Sequence, residues 1–299
     1  MNPTAARGLR LSRQEWVLVA ITFLWGATFL IVHFAVTTTG PWFFVGVRFL
    51  AAGVIGALVL NRGLRGLRPR EIGAGAAIGV MVYLGYGLQT VGLQTIDSST
   101  SAFITAFYVP LVPLLQWVVF RKAPRWTVWI GVALAFTGLI LVAGPSAAGF
   151  SLGQGELVTM ISTLAIAAEI ILIGVFAGRV DVGRVTVVQL IVASLLAFLT
   201  MPVAGEAVPE FSWVWLLAAV GLGAMSAAIQ WAMNWAQRSV SPTRATIIYA
   251  GEPVWAGIFG RLAGERLPAL AIVGAAMIIA GMVVSELTPR SRRRTPPQT

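Results

Sequence analysis

Long apolar blocks recur along almost the whole chain, and no other feature of the sequence restricts its fold as strongly. Of the 299 residues, 58% are hydrophobic and only 11% are charged. Each block of about 20 residues can cross roughly 30 Å of hydrocarbon as an α-helix, and the apolar residues do not alternate as barrel strands require. The sequence therefore predicts an all-α polytopic membrane protein that works within a lipid bilayer.

Hydropathy divides the chain into ten predicted transmembrane helices joined by short loops. Their predicted bounds are 16–36, 42–60, 72–91, 99–120, 126–143, 156–177, 185–203, 212–235, 243–263 and 268–286. No loop is long enough for a soluble catalytic domain, and the chain has one histidine and no cysteine. It carries no phosphate-binding loop, dinucleotide fingerprint or metal-ligand spacing. We therefore expect no cofactor, no metal and no enzymatic activity.

A weak internal repeat relates the two halves of the chain at an offset of 143 residues. The identities are Gln94/Gln237, Ser98/Ser241, Thr100/Thr243, Ala102/Ala245, Ile104/Ile247, Pro110/Pro253, Gly131/Gly274 and Gly138/Gly281. They include a helix start, a mid-span proline and two small packing residues. Because each half holds five spans, the halves are predicted to cross the membrane in opposite directions. Such an inverted repeat is typical of transporters that work by alternating access.

The basic residues lie almost entirely at one end of the predicted spans. Of the 21 Lys and Arg residues, all but Arg48, Arg261 and Arg266 fall on this side. The positive-inside rule then predicts cytoplasmic termini, and the net charge of +10 does not indicate a nucleic-acid partner. We expect five regions in order: a cytoplasmic segment 1–15, a first five-helix repeat 16–143, an outer-side linker 144–155, a second five-helix repeat 156–286 and a basic cytoplasmic tail 287–299.

Short motifs in both halves give the chain a resemblance to a known transporter family. They are Trp25-Gly26, Arg48-Phe49-Leu50, Ser99–Ala102 leading to Pro110, and Glu252-Pro253 followed by Gly264-Glu265. In order and spacing they resemble the EamA-type transporters of the drug/metabolite transporter (DMT) superfamily, nearest to the YddG-type bacterial amino-acid exporters. The chain departs from the pattern at Arg121-Lys122, where an acidic residue is common, and lacks a Trp-Gly pair in span 6.

This resemblance implies secondary export of amino acids or related small metabolites across a bacterial inner membrane. A carrier of other metabolites, such as nucleotide-sugars or drugs, is the alternative, although phosphorylated cargo would require more cavity cations than Arg48 supplies. An intramembrane enzyme is a further alternative, and it would need catalytic residues clustered at one interface. No feature of the sequence selects an oligomeric state, and a monomer is the simplest expectation.

Polar side chains within the spans are the candidates for a substrate site, because such groups are costly in lipid and usually face a cavity or a partner. In span 8, Ser226, Gln230 and Asn234 recur every four residues and form one stripe, flanked by Trp231. The stripe could line a cavity or could form interhelical hydrogen bonds. We favour the cavity, because both amides would otherwise need several partners each.

All four tyrosines lie inside predicted spans and not at the membrane interfaces, where tyrosine is enriched. A shared aromatic and hydroxyl-lined cavity would explain this placement, and so would core packing with each hydroxyl satisfied locally. The candidate cavity residues are Tyr83, Tyr86, Gln89, Tyr108, Tyr249 and the deep Trp25.

Two carboxylates are predicted near the middle of the membrane. At about 1.5 Å per residue, Glu169 and Glu252 lie about 12 Å from the cytoplasmic ends of their helices. Either could bind a substrate ammonium or carry a proton, or could be a neutral carboxyl that bonds a neighbouring backbone group. Arg48, about six residues into span 2, is expected to reach the interface or to hold a gate closed.

Two prolines occupy equivalent places in the two halves of the chain. Pro110 and Pro253 each remove a backbone hydrogen bond and predict a bend within spans 4 and 9. A paired bend in the middle of the membrane could act as a hinge for alternating access, and a static bend would leave the same signature.

Overall fold

The described part of the chain is entirely helical. The computed structural model describes residues 11–121, 123–143, 153–265 and 270–286. Besides a short 3-10 helix at Asn61–Leu64, its helices are α1 (Arg13–Ala35), α2 (Pro41–Leu60), α3 (Pro69–Gly92), α4 (Ser98–Thr105), α5 (Tyr108–Phe120), α6 (Trp126–Ala143), α7 (Gln154–Phe176), α8 (Val182–Val203), α9 (Trp213–Ala236), α10 (Pro242–Tyr249), α11 (Glu252–Leu262) and α12 (Ala271–Glu286).

Many of these helices are long and apolar enough to cross a membrane. Within the described ranges there are seven such segments, namely α1, α2, α3, α4 together with α5, α7, α8 and α9. Shorter apolar stretches lie in α6 and α12. The segment formed by α10 and α11 is more polar, since it carries Arg244, Glu252 and Arg261. The prediction of an all-α polytopic membrane protein is confirmed.

Several predicted regions near the ends of the halves lie outside the described residues. These are residues 1–10 of the N-terminal segment, most of the linker 144–155, and the tail 287–299. The last residues of the N-terminal segment are already helical. Ser12 caps α1, because its Oγ accepts from the Glu15 N–H at 3.3 Å and its own N–H donates to the Glu15 carboxylate at 2.6 Å.

Predicted spans 4 and 9 are each broken into two helices at equivalent places. One break separates α4 from α5 at residues 106–107, and the other separates α10 from α11 at residues 250–251. Pro110 and Pro253 therefore lie in the first turn of the second helix, just beyond the break and not at it. The reason is that a proline has no backbone N–H to donate to the carbonyl four residues earlier, here that of Ala106 or Tyr249, and that its ring clashes with this carbonyl. In the first half the Val109 N–H bonds the Ala106 carbonyl at 2.9 Å in a tightened turn.

Contacts between helices follow a reciprocal pattern across the two halves. Helix α1 packs on α9 and α11, as α7 packs on α3 and α5; likewise α2 packs on α9 as α8 packs on α3. Direct contacts of α2 with α8 and of α6 with α12 join the halves. Each of these contacts therefore has an equivalent in which every helix is replaced by the helix at the same place in the other half, for example α1 by α7.

The crossing of α6 and α12 shows this reciprocity at single residues. A Cβ added to Gly138 would lie 2.5 Å from the carbonyl oxygen of Gly274, and one added to Gly281 would lie 2.5 Å from that of Gly131. Gly131/Gly274 and Gly138/Gly281 are pairs that the sequence repeat aligns. Only glycine lets the two backbones approach so closely.

Polar ties close one end of the helix bundle, called here the Glu265 end. It contains loops 36–40, 93–97 and 204–212 and residues 263–265. The Glu265 carboxylate accepts from the Ser98 N–H at 3.1 Å, the Ser98 hydroxyl at 2.5 Å and the Ser99 N–H at 3.1 Å. Glu206 accepts from two backbone N–H groups in the first turn of α2, at 3.2 and 3.0 Å. Both carboxylates therefore tie the second half of the chain to helix starts in the first.

The opposite end, called here the Arg184 end, is tied by cations. Arg184, in the first turn of α8, forms a 3.2 Å ion pair with Glu71 and donates to three carbonyls of residues 63–66 at 2.7 to 3.1 Å. Arg244 pairs with Glu15. The largest hydrophobic cluster lies between the two ends and draws residues from both halves.

Candidate functional site

A group of buried polar side chains, called here the central polar cluster, lies deep in the bundle among four helices. Its members are Tyr86 of α3, Glu169 of α7, Thr186 and Gln189 of α8, and Gln230 and Asn234 of α9. Each is at most 6% exposed. Polar groups buried in an apolar bundle must find hydrogen-bond partners, and these side chains find them mainly in one another.

The three amides of the cluster form a chain that leads to the carboxylate. Asn234 donates to Gln189 Oε1 at 3.1 Å and to Thr186 at 3.2 Å. Gln189 donates to Gln230 Oε1 at 2.7 Å, and Gln230 donates to Glu169 Oε1 at 2.8 Å. The second oxygen, Oε2 of Glu169, is buried and has no hydrogen-bond partner among the described residues. One carboxylate oxygen is thus anchored and the other remains available.

Tyr86 links this chain to Arg48. Its hydroxyl accepts from Gln230 at 3.4 Å, and the Arg48 guanidinium lies 5.3 Å from the centre of its ring. Arg48 is only 2% exposed and donates from Nε to Ser226 at 2.9 Å. The expectation that Arg48 reaches the membrane interface is wrong: its side chain extends into the bundle, where Ser226 and Tyr86 hold it.

A second polar contact joins the two broken spans. Tyr108, the first residue of α5, donates to Glu252 Oε2 at 2.9 Å, and Glu252 is the first residue of α11. Trp25 packs edge-on against Tyr249, with ring centres 5.4 Å apart. The Tyr108–Glu252 contact lies beside both helix breaks. A movement at either break would therefore change the surroundings of the buried Glu252 carboxylate.

Gln89 lies beside the first break, where it donates to Thr105 at 2.9 Å. It is buried, as Tyr86 is, but it belongs to the contact between α3 and α4 and not to the central polar cluster.

Tyr83 and Trp231 also lie outside the central polar cluster. Tyr83 turns toward α8, where its hydroxyl lies 2.6 Å from that of Thr200 and its ring packs on Trp42. Trp231 is 49% exposed and stacks on Trp235. Adjacent helix residues point about 100° apart, so Trp231 faces outward because its neighbour Gln230 faces inward.

The sequence analysis did not select Gln189 and Thr186. In the structure Gln189 joins the other two amides, and the Thr186 hydroxyl accepts from Asn234. Both are buried, and they stand three residues apart on one face of α8. A glutamine in an otherwise apolar span is the signal that should have drawn attention to them. Among the described residues, no three His, Asp or Glu side chains come together as metal ligands would.

An open depression of about 430 Å³ lies at the Glu265 end of the bundle. Its lining includes His33, Asp97 and Glu265. The His33 ring nitrogen Nδ1 lies 3.1 Å from the Leu93 carbonyl, so the ring is part of the contact between α1 and the end of α3. The depression borders the hydrogen bonds that Glu265 accepts from Ser98 and Ser99.

A family model matches both halves of this chain, and the similar proteins are named as transporters. The model of the EamA-like transporter family matches the chain twice, over residues 14–144 and 153–287. The chain is 30% identical over 281 residues to the "Uncharacterized inner membrane transporter YedA" of Escherichia coli K12, covering 90% of this chain and 89% of that protein. It is 27% identical over 286 residues to an uncharacterized transporter of Archaeoglobus fulgidus, covering 94% and 88%.

Two further matches concern cargo and fold. Over 150 residues, 47% of this chain and 46% of the relative, the chain is 29% identical to an S-adenosylmethionine/S-adenosylhomocysteine transporter of Chlamydia trachomatis. A solved structure titled only "Crystal structure of protein" aligns with a TM-score of 0.69 and 18% identity, covering 90% of this chain and 98% of that one. At this identity the structural match supports the fold alone.

Proposed function

The chain belongs to the EamA-like transporter family, and we propose that it is a secondary transporter that exports amino acids or related small metabolites across a bacterial inner membrane. The observation that carries the proposal is the central polar cluster, in which amides from α8 and α9 lead to one available oxygen of a buried carboxylate. Such a cluster offers donors, acceptors and one negative charge to a small polar cargo within an otherwise apolar bundle.

The proposed mechanism is alternating access by two inverted five-helix repeats with ten spans in all. Three observations support it: the reciprocal helix packing, the reciprocal glycine crossing of α6 and α12, and a family match to each half. Transporters built from inverted repeats bind cargo between the repeats near the middle of the membrane. The central polar cluster combines Tyr86 of the first half with residues of the second, as this mechanism requires.

We orient the proposed transporter with the Arg184 end and both termini in the cytoplasm. The positive-inside rule supports this orientation, because the predicted spans leave all but three of the 21 Lys and Arg residues in segments on the side of the termini. In this arrangement the depression beside Glu265 opens outward and forms the exit of an export pathway. A relative named as an inner membrane transporter supports the same location.

A zwitterionic cargo fits the cluster better than a strongly anionic one. Arg48 is the cation that contacts the cluster, whereas two buried glutamates, Glu169 and Glu252, lie nearby. S-Adenosylmethionine and S-adenosylhomocysteine, named for one relative, both carry an amino-acid end, so their transport would use the same recognition. Nucleotide-sugars and drugs remain alternatives to be tested alongside.

Counterflow into proteoliposomes tests the proposed function directly. Purified protein would be reconstituted into vesicles preloaded with an unlabelled amino acid, and uptake of the labelled compound would be followed for a panel of amino acids, S-adenosylmethionine and a nucleotide-sugar. We expect transient accumulation of several amino acids above the level in protein-free vesicles. Accumulation of the nucleotide-sugar alone would contradict the proposal.

We propose Pro110 and Pro253 as supports of two matched hinges. Replacing either by alanine restores a backbone N–H just after the break and favours a continuous helix. We expect a roughly tenfold slower exchange, which equals about 1.4 kcal/mol of activation free energy, with little change in thermal stability. Pro202→Ala, in the last turn of α8 and away from both breaks, is the matched control. Unchanged exchange in Pro110→Ala and Pro253→Ala would show that the bends are static.

A further inference from the structure

Arg48 is buried without a carboxylate partner. Its side chain has one hydrogen bond among the described residues, from Nε to the neutral hydroxyl of Ser226. It takes no part in the Arg184–Glu71 or Arg244–Glu15 ion pairs. The rings of Tyr86 and Phe49 lie 5.3 and 5.4 Å from its guanidinium carbon. The edge that carries the terminal N–H groups has no hydrogen-bond acceptor among the described residues.

Glu169 also has a buried polar atom without a partner, and this atom is an acceptor where those of Arg48 are donors. Gln230 holds Oε1, and Oε2 has no hydrogen-bond partner although the residue is 0% exposed. A carboxylate oxygen in such a place can accept a strong, charge-assisted hydrogen bond. The second half of the chain therefore presents a carboxyl group with one oxygen open, and α2 of the first half presents a guanidinium.

Tyr86 and Gln230 separate the two charged groups and hold each in place. Tyr86 contacts the Arg48 guanidinium through its ring and Gln230 through its hydroxyl, and Gln230 in turn contacts Glu169. Arg48 and Glu169 do not neutralise each other in this arrangement. Leaving two buried charges uncompensated is costly unless another molecule supplies the counter-charges.

We propose that Arg48 and Glu169 are the two poles of a binding site for a zwitterion. The carboxylate of the cargo lies against the terminal N–H groups of Arg48, because the fork of the guanidinium matches a carboxylate. The ammonium group lies at Oε2 of Glu169. This assignment rests on the proposed transport function and adds to it a chemical requirement: the cargo carries both a free carboxylate and a free ammonium.

The test compares one amino acid with two analogues, each of which lacks one of its two charged groups. The competitors of counterflow are the amino acid that exchanges fastest in the panel, its decarboxylated amine and its deaminated acid. In the wild type we expect each analogue to compete at least about tenfold more weakly than the amino acid. Each analogue loses one charged hydrogen bond, which is worth about tenfold in affinity.

The variants assign each charge to its pole. In Arg48→Gln, we expect the preference for the amino acid over the amine to vanish while the preference over the acid remains; in Glu169→Gln, we expect the reverse. Arg48→Lys should keep part of the carboxylate preference, because it keeps the charge without the fork. Arg261→Gln, which removes an exposed cation from α11, is the control and should keep both preferences.

Each possible outcome either supports the zwitterion site or overturns it. If Arg48→Gln folds and still prefers the amino acid over the amine, the proposal is overturned although amino-acid transport stands. If Arg48→Gln does not fold, the wild-type competition and Arg48→Lys decide, and an amine that competes as well as its amino acid overturns the proposal. If the wild type exchanges no amino acid at all, the proposed function itself fails, and the zwitterion site fails with it.

Discussion

Glu169→Gln is expected to lower the apparent affinity for amino-acid cargo by about 10- to 100-fold while the protein still folds. The substitution is nearly isosteric. The glutamine oxygen can keep accepting from Gln230, which holds Oε1 at 2.8 Å, and only the open Oε2 position changes from an acceptor to a donor. Losing a charged hydrogen bond costs about 1.5–3 kcal/mol, which corresponds to the expected loss. The measurement is the concentration dependence of counterflow.

The pH profile of the same variant separates two roles of the carboxylate. If Glu169 only contacts the ammonium, the affinity falls and the pH dependence of transport is unchanged. If Glu169 also carries a coupled proton, the pH dependence disappears in the variant while counterflow continues. Glu210→Gln, in an exposed loop, matches the change of charge and should behave as the wild type. Wild-type affinity in a folded Glu169→Gln protein would place the cargo elsewhere in the bundle.

Glu265→Ala is expected to open the Glu265 end of the bundle. The carboxylate accepts three hydrogen bonds from Ser98 and Ser99, and alanine removes all three. Because Glu265 is partly exposed, we take the low end of the range for charged hydrogen bonds, about 1.5 kcal/mol. The opening equilibrium should then shift by about tenfold.

A cysteine at Ser101 reports this opening. Ser101 is fully buried on α4, three residues beyond Ser98, and the chain has no native cysteine. We expect a membrane-impermeant thiol reagent added outside intact cells to label Ser101→Cys about tenfold faster when Glu265→Ala is also present. Labelling only from the cytoplasmic face would contradict the proposed orientation, and an unchanged rate would show that the tie does not hold the end closed.

Acidification offers an independent check of the same tie. Burial raises the pKa of Glu265, but the hydrogen bonds from Ser98 and Ser99 outweigh it and hold the pKa below its usual range. The tie is therefore present above the ordinary pKa of a glutamate and is lost as the pH falls through the lowered value. Acidification lowers the thiolate fraction of the cysteine in both proteins, so the readout is the ratio of the two labelling rates. The labelling rate of Ser101→Cys with Glu265 present should approach the rate in Glu265→Ala as the pH falls.

The order of elements could be predicted from the sequence because it depends on local properties. Hydropathy places the long helices within a few residues of their bounds, since an apolar block in a bilayer must satisfy its own backbone hydrogen bonds as a helix. The matched positions of Pro110 and Pro253 predict interruptions in spans 4 and 9, where the structure has them. The breaks themselves lie two to four residues before each proline, because the carbonyl that loses its hydrogen bond belongs to the residue four positions earlier.

The membership of the central polar cluster was decided by tertiary packing. Periodicity tells which residues share a face of a helix, but it does not tell which face a neighbouring helix covers. Tyr83 and Tyr86 stand three residues apart, and only Tyr86 meets Gln230, while Tyr83 meets Thr200. Gln189 acquires its importance only where α8 brings it between Gln230 and Asn234.

By itself, the sequence determined the class of protein, the helical segments, the repeat and the presence of costly polar groups in apolar helices, because each of these follows from neighbours along the chain. Only the tertiary structure decided that Arg48 turns inward to Ser226, that Trp231 turns outward, and that Glu169 keeps one oxygen open. These facts depend on contacts between residues more than 60 positions apart, and the partners of a buried charge are set by what packs around it.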